Sequence, residues 1–154
     1  MNKLTSLILF LGLNFGALAF GSYLMGTNPS ANEWYQNLPR APWTPPGWVF
    51  GAAWFTIMLL FSIFIGLQYN QTKEKRKLIW IYLVQLCLNI SWNPVFFHYH
   101  QIGLALLILI LLFSSLLYLL FYSETWNKRI GLLVLPYVIW LMIAISLNLY
   151  PLIA

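Results

Sequence analysis

The sequence predicts an all-α integral membrane protein: a five-transmembrane-helix bundle, N-terminus inside, with a long outer first loop as lid. Three observations carry this prediction. Hydrophobic residues make up 61% of the 154-residue chain and charged residues only 7%, against roughly 25% charged in a soluble domain. So few polar groups could not cover that much apolar surface. The charged residues, eight basic and three acidic, punctuate five apolar stretches, each near the ~20 residues a helix needs to cross ~30 Å of hydrocarbon. The basic residues also fall unevenly. With the N-terminus inside, Lys3, Lys73, Lys75, Arg76, Lys77, Lys128 and Arg129 lie on the inner side and Arg40 alone lies outside, as the positive-inside rule requires. Barrel-type alternation is absent, so helices are the remaining way to satisfy a backbone in lipid. The length suits a single domain over 1–154.

The first helix is read at about 4–25. Its basic start, apolar run and Ala17-Leu18-Ala19 also fit a cleaved signal peptide, but the run continues to Met25 and favours a retained span. Residues 26–45, "GTNPSANEWYQNLPRAPWTP", form a connection too long for a simple reversal. Long ordered loops are often lids or binding loops, and this one carries Trp34, Tyr35 and Trp43. Pro45 and Pro46 open the second helix, about 46–69, where a missing N–H does least harm. Gly12/Gly16 and Gly47/Gly51 stand at a GxxxG spacing that permits close helix approach, with packing inside the bundle favoured over packing between subunits. The third helix, about 78–97, holds Cys87 in mid-membrane, where it forms no intrachain disulfide. The fourth and fifth are read at about 103–122 and 130–150.

Three of these helices carry stripes. Gln85, Asn89, Trp92 and Phe96 fall on one face of the third helix at i, i+4, i+7 and i+11, with Asn93 beside them. Tyr137, Trp140, Ala144 and Asn148 repeat the pattern on the fifth. The second offers Trp54, Met58, Phe61 and Ile65. Carboxamides are costly against lipid, so these faces point into the bundle. Two accounts stay open: polar and aromatic glue between helices, or the wall of a site for a flat apolar ligand. Trp43 and Trp48, beside the prolines, suit the membrane interface, while Trp54 is delivered inward one turn on.

The spans lack Asp, Glu, Lys, Arg and His in their central parts. Ion-coupled carriers usually keep such a residue, and general acid–base catalysis needs one. His98 and His100 form an H-x-H pair able to reach a metal, although interfacial histidines are the plainer account, and no metal site is predicted. Lys75-Arg76-Lys77 can hold anionic lipid heads or only set topology. The net charge of +5 reads as topology, with no nucleic-acid partner.

"WYQNLPRAPWTPPGWVFGAAW" at 34–54, "QLCLNISWNPVFF" at 85–97 and "LPYVIWLMIAISLN" at 135–148 together resemble the TspO/MBR family, the tryptophan-rich sensory proteins related to the translocator protein or peripheral benzodiazepine receptor. The resemblance covers nearly the whole chain. It implies a five-helix bundle, often a homodimer, with an apolar pocket under the first loop. It also implies binding of protoporphyrin IX or haem as a ligand, not as a tightly bound cofactor, and of isoquinoline or benzodiazepine compounds. The residues it implies are Trp54, Trp140, Tyr35, Asn89, Trp92, Ala144 and Asn148; Met58 and Phe96 join from the stripes, and Arg40 is added as the only outer cation, for propionates. Light-dependent porphyrin degradation, assigned to some members, would rest on Trp54 and Trp140 as catalytic residues. The expected location is a bacterial inner membrane.

Departures limit the transfer. Arg40-Ala41-Pro42-Trp43 stands in place of the basic-Pro-x-Trp of many relatives, with the proline one position later, which implies a different lid shape. Ile108 stands where relatives often place an acid. Tyr150 is followed by "PLIA" without the basic residue of the animal cholesterol motif. Leu67-Tyr69-Lys73 and Leu119-Tyr122-Lys128 match that loose pattern by accident, and no sterol binding is predicted. The functional expectation is a membrane porphyrin-binding sensor or regulator. A transporter of porphyrins or other apolar metabolites and a structural, partner-binding subunit are the alternatives.

Overall fold

A computed structural model describes residues 2–121 and 128–154, with the side chains of residues 128 and 129 excepted. Tyr122, Glu124, and the Lys128 and Arg129 side chains used in the topology argument therefore lie outside the description. Among the described residues seven helices follow in order: α1 (Lys3–Leu24), α2 (Glu33–Asn37), α3 (Gly47–Gln71), α4 (Lys75–Asn93), α5 (Ile102–Phe121), α6 (Lys128–Gly131) and α7 (Leu135–Ile153). Short 3-10 turns stand at Pro29–Ala31 and Leu132–Val134. Five helical segments are long and apolar enough to cross a membrane: Lys3–Ala31, Gly47–Gln71, Lys75–His98, Ile102–Phe121 and Leu132–Ile153. The protein is a multi-pass membrane protein.

The spans close into a ring in the order α1, α3, α7, α5, α4. Phe10, Ile57, Phe61, Phe64, Tyr82, Leu112, Tyr137 and Leu141 fill its centre. Outward faces are also apolar, with Phe20, Phe55, Val84, Leu107 and Met142 exposed. Lipid rewards such faces no less than the core does, so polar and close-packed contacts hold the helices together. Asn14 donates to the Ser62 hydroxyl at 2.8 Å and accepts from the Tyr82 hydroxyl at 3.0 Å, linking α1, α3 and α4 by buried hydrogen bonds. Asn70 donates to Ser6 where α3 ends beside the start of α1.

The glycine expectation is corrected. A Cβ at Gly12, Gly16, Gly47 or Gly51 would meet nothing within 4 Å, so none of the GxxxG pairs lies in an internal seam. The close approaches occur at isolated glycines. A Cβ on Gly21 would stand 3.0 Å from Asn93 Nδ2 and 3.6 Å from the Ile90 backbone, and one on Gly66 would stand 3.6 Å from the Leu7 backbone.

Three helix ends differ from expectation. α4 starts at Lys75, because Leu78 N–H donates to the Glu74 carbonyl at 3.1 Å and Lys77 pairs with Glu74 at 3.4 Å. Its far end widens into a π turn over Pro94–His98, where Tyr99 N–H reaches back to the Pro94 carbonyl at 2.9 Å. Pro94 supplies no N–H to the α ladder, and the wider turn lets the consecutive Phe96 and Phe97 both be buried. The last span is broken between Gly131 and Leu135 and then runs through Pro151 to Ile153.

Candidate functional site

The loop over residues 26–45 is built from local caps. Gly26 turns the chain at φ +80, a conformation that glycine adopts without a Cβ penalty. Asn28 caps Ser30 N–H at 3.2 Å, and Asn32 caps Tyr35 N–H at 3.0 Å. Asn32 also donates across to the Phe97 carbonyl at 3.2 Å, fastening the short α2 to the end of α4. Trp34 lies flat on His100, with ring centroids 4.0 Å apart and planes 16° apart, and meets Phe96 edge-on at 5.5 Å. Tyr35 meets Phe97 edge-on at 5.2 Å. His100 takes φ +57 to make its turn, while His98 packs edge-on to Tyr99. His100 thus serves the loop's seating, and the two rings of the H-x-H pair are turned to different neighbours.

Beneath this loop lies a cavity of about 680 Å³, walled by α1, α3, α4 and α7, within the usual range for ligand pockets. Tyr35, Arg40, Trp54, Asn89, Trp92, Phe96, Ala144 and Asn148 all line it. Met58 and Trp140 do not: both are buried in the central core. Each stands one turn deeper than a lining residue, Met58 below Trp54 and Trp140 below Ala144. Gln85 stands likewise below Asn89. The cavity floor therefore runs between these three pairs, about 6 Å apart along each axis at 1.5 Å per residue.

The floor is made of hydrogen bonds and aromatic edges. Gln85 and Asn89 both donate to the Tyr137 hydroxyl, at 2.7 and 2.6 Å. That leaves the Asn89 carbonyl oxygen for the cavity. Trp54 meets Tyr137 edge-on at 5.9 Å, and Trp140 meets the lining residue Phe50 edge-on at 5.3 Å. The Trp140 indole N–H is buried and has no hydrogen-bond partner among the described residues.

Trp92 is clamped rather than free to swing. Its N–H donates to Asn148 Oδ1 at 3.1 Å, and Asn148 in turn donates to the Ile102 carbonyl at 3.0 Å. Its ring stacks on Phe96 at 5.7 Å with 16° between planes. Asn148 thereby positions an aromatic wall. Near the mouth, burial pushes the Tyr35 phenol above its ordinary pKa, and the Arg40 guanidinium pulls the other way.

Sequence reasoning missed the wall formed by α1, where Leu18, Ser22 and Met25 face the cavity. Ser22 was its one polar signal, and that hydroxyl bonds to the Leu18 carbonyl of its own helix at 2.9 Å. Gly47 and Gly51 also line the cavity, which explains the open space beside them.

A family model for the TspO/MBR family matches residues 7–153. The chain belongs to the TspO/MBR family. Among its relatives, "Protein CrtK" of Rhodobacter capsulatus is 35% identical over 124 residues, covering 77% of this chain and 76% of that protein. The "Tryptophan-rich sensory protein" of Cereibacter sphaeroides is 32% identical over 120 residues, covering 76% and 73%. The human "Translocator protein" is 31% identical over 120 residues, covering 75% and 71%. The family resemblance carried by the three tryptophan-bearing motifs is thereby established.

Proposed function

We propose that this family member is a membrane sensor or regulator that binds a porphyrin, protoporphyrin IX or haem, or another flat apolar ligand in the cavity under the 26–45 loop. One observation carries the reading: a cavity of about 680 Å³ walled by Trp54, Trp92 and Phe96, with Asn89 and Arg40 among its polar groups. Burial of a large flat ring removes much apolar surface from water, and rigid indoles suit its faces. Gly47 and Gly51, with no side chains of their own, leave room against α3. In this reading the loop is a lid, Arg40 faces ligand carboxylates at the mouth, and isoquinoline- or benzodiazepine-type compounds share the site. The relatives' names, sensory protein and translocator protein, agree with a regulatory or carrier role. The setting is a bacterial inner membrane, and the assembly a homodimer.

A bound porphyrin supplies photochemistry of its own. Trp54, in the wall, is the residue placed to be oxidised by it. Trp140 lies behind Phe50 and acts through that contact.

The test is a protoporphyrin IX titration of the purified protein in darkness, read by tryptophan quenching, with Trp54→Phe and Trp140→Phe alongside, followed by illumination. Saturable quenching that weakens in Trp54→Phe supports the pocket. Loss of porphyrin bands in light only with both tryptophans intact adds the degrading activity. Saturable flux into liposomes that fails in Trp54→Ala moves the reading to a transporter. Absence of saturable binding overturns it in favour of a structural subunit.

A further inference from the structure

A second feature, at the end of the bundle opposite the loop, is independent of the cavity. Lys3, Lys73, Lys75, Arg76 and Lys77 gather there, and Glu74 is the one acid at that end among the described residues. Two of these cations are engaged. Lys75 Nζ lies 5.1 Å above the Tyr69 ring. Lys77 Nζ lies 3.4 Å from Glu74 and 6.0 Å from the Tyr118 ring centre. Lys73 and Arg76 are exposed and show no such contact among the described residues.

Arg76 also begins a stripe. Residues 76, 80, 84 and 87 share one face of α4 at i, i+4, i+8 and i+11. Within one chain and among the described residues that face is unpartnered: Trp80 is 60% exposed and Val84 52% exposed, and Cys87 is exposed too. At 1.5 Å per residue, Trp80 lies about 6 Å and Cys87 about 16 Å below Arg76 along the axis. The order with depth is a guanidinium, an amphipathic indole and then apolar groups. A phospholipid presents the complementary order of phosphate, ester region and acyl chain. Guanidinium groups bind phosphate oxygens bidentately, and indoles favour the interfacial depth.

We propose that Arg76 and Lys73 hold the phosphate of one anionic phospholipid whose acyl chain lies along Trp80, Val84 and Cys87. The charge of the site selects the headgroup class. A zwitterionic lipid brings its own cation toward Lys73, whereas an anionic one does not. Tyr69, Glu74 and Tyr118 hold the neighbouring lysines, so the turn is ordered before lipid arrives.

The chain supplies its own reporter, since Cys87 is its single cysteine and lies on the same stripe. Intact protein carrying a bimane probe on Cys87 is reconstituted into phosphatidylcholine vesicles. Acyl-brominated phosphatidylglycerol is compared with acyl-brominated phosphatidylcholine as quencher. The expected result is stronger association of phosphatidylglycerol by roughly five-fold for each engaged cation. Arg76→Gln and Lys73→Gln each lose about that factor. Lys3→Gln, at the same end but on α1, leaves the preference unchanged. Equal quenching by the two lipids overturns the site. An equal loss in Lys3→Gln also overturns it, by showing only a general surface potential. Displacement of the lipid by added inorganic phosphate overturns the acyl part and leaves a simple anion site.

Discussion

The Trp43 indole N–H donates to the Ser146 hydroxyl at 3.1 Å, and the Trp43 ring stands edge-on to Tyr150 at 5.6 Å. Residues 103 positions apart thus tie the 26–45 loop to α7, beside the cavity that α7 shares with α3. The loop is held on its other side by Asn32 and by the Trp34–His100 stack. It is seated between two fixed walls, and each fastening can be cut separately.

Trp43→Phe keeps an aromatic ring against Tyr150 and removes only the hydrogen bond, worth about 1 kcal/mol. Release of bound protoporphyrin IX should quicken about five-fold, read by stopped-flow fluorescence, with the melting temperature little changed. An unchanged release rate would show that the loop does not gate the cavity.

Gly51 and Gly21 should behave oppositely. Gly51→Leu places a side chain where nothing stands within 4 Å of the Cβ and removes a glycine from a helix interior, a gain of roughly 0.5–1 kcal/mol. The variant should fold at least as well and lose porphyrin binding. Gly21→Ala drives a Cβ to 3.0 Å from Asn93 Nδ2, against α4, and should lower the melting temperature. Circular dichroism and quenching titrations on both variants check this contrast.

Tyr137→Phe removes the hydroxyl that accepts from both Gln85 and Asn89. Two amides lose a buried partner, each worth about 0.6–2 kcal/mol within a membrane. The variant should melt earlier, and its porphyrin affinity should fall because Asn89 is no longer oriented. Retained affinity at a reduced melting temperature would confine Tyr137 to packing.

Seating of the loop should depend on pH through Tyr35. Burial raises its pKa in the seated state above the ordinary 10.0, so undocked loops lose the proton first. The stabilisation is complete below about pH 10 and is lost as pH rises above that value. Protease cleavage within residues 26–45 should accelerate over that range. Tyr35→Phe should flatten the dependence, and an identical profile in that variant would exclude Tyr35 as its source.

Much of this was legible in the chain itself. Hydrocarbon thickness and the need to satisfy every backbone group leave one arrangement for five apolar runs of this length. Helical periodicity alone puts Gln85, Asn89, Trp92 and Phe96 on one face, and "WTPPGW" with its companion motifs points to the family. Periodicity sets the direction in which a side chain leaves its helix. It does not set the depth at which neighbouring helices part. Trp54 and Met58 share a face, as do Ala144 and Trp140. Only the divergence of α3, α4 and α7 on the loop side decides that the first of each pair meets open space and the second meets core. The glycines follow the same logic. Spacing marks where helices can approach, and the ring order α1, α3, α7, α5, α4 chose Gly21 and Gly66 for contact and left Gly47 and Gly51 to the cavity. Composition and period are local and survive in the sequence; which surfaces finally face each other is a property of all five helices together.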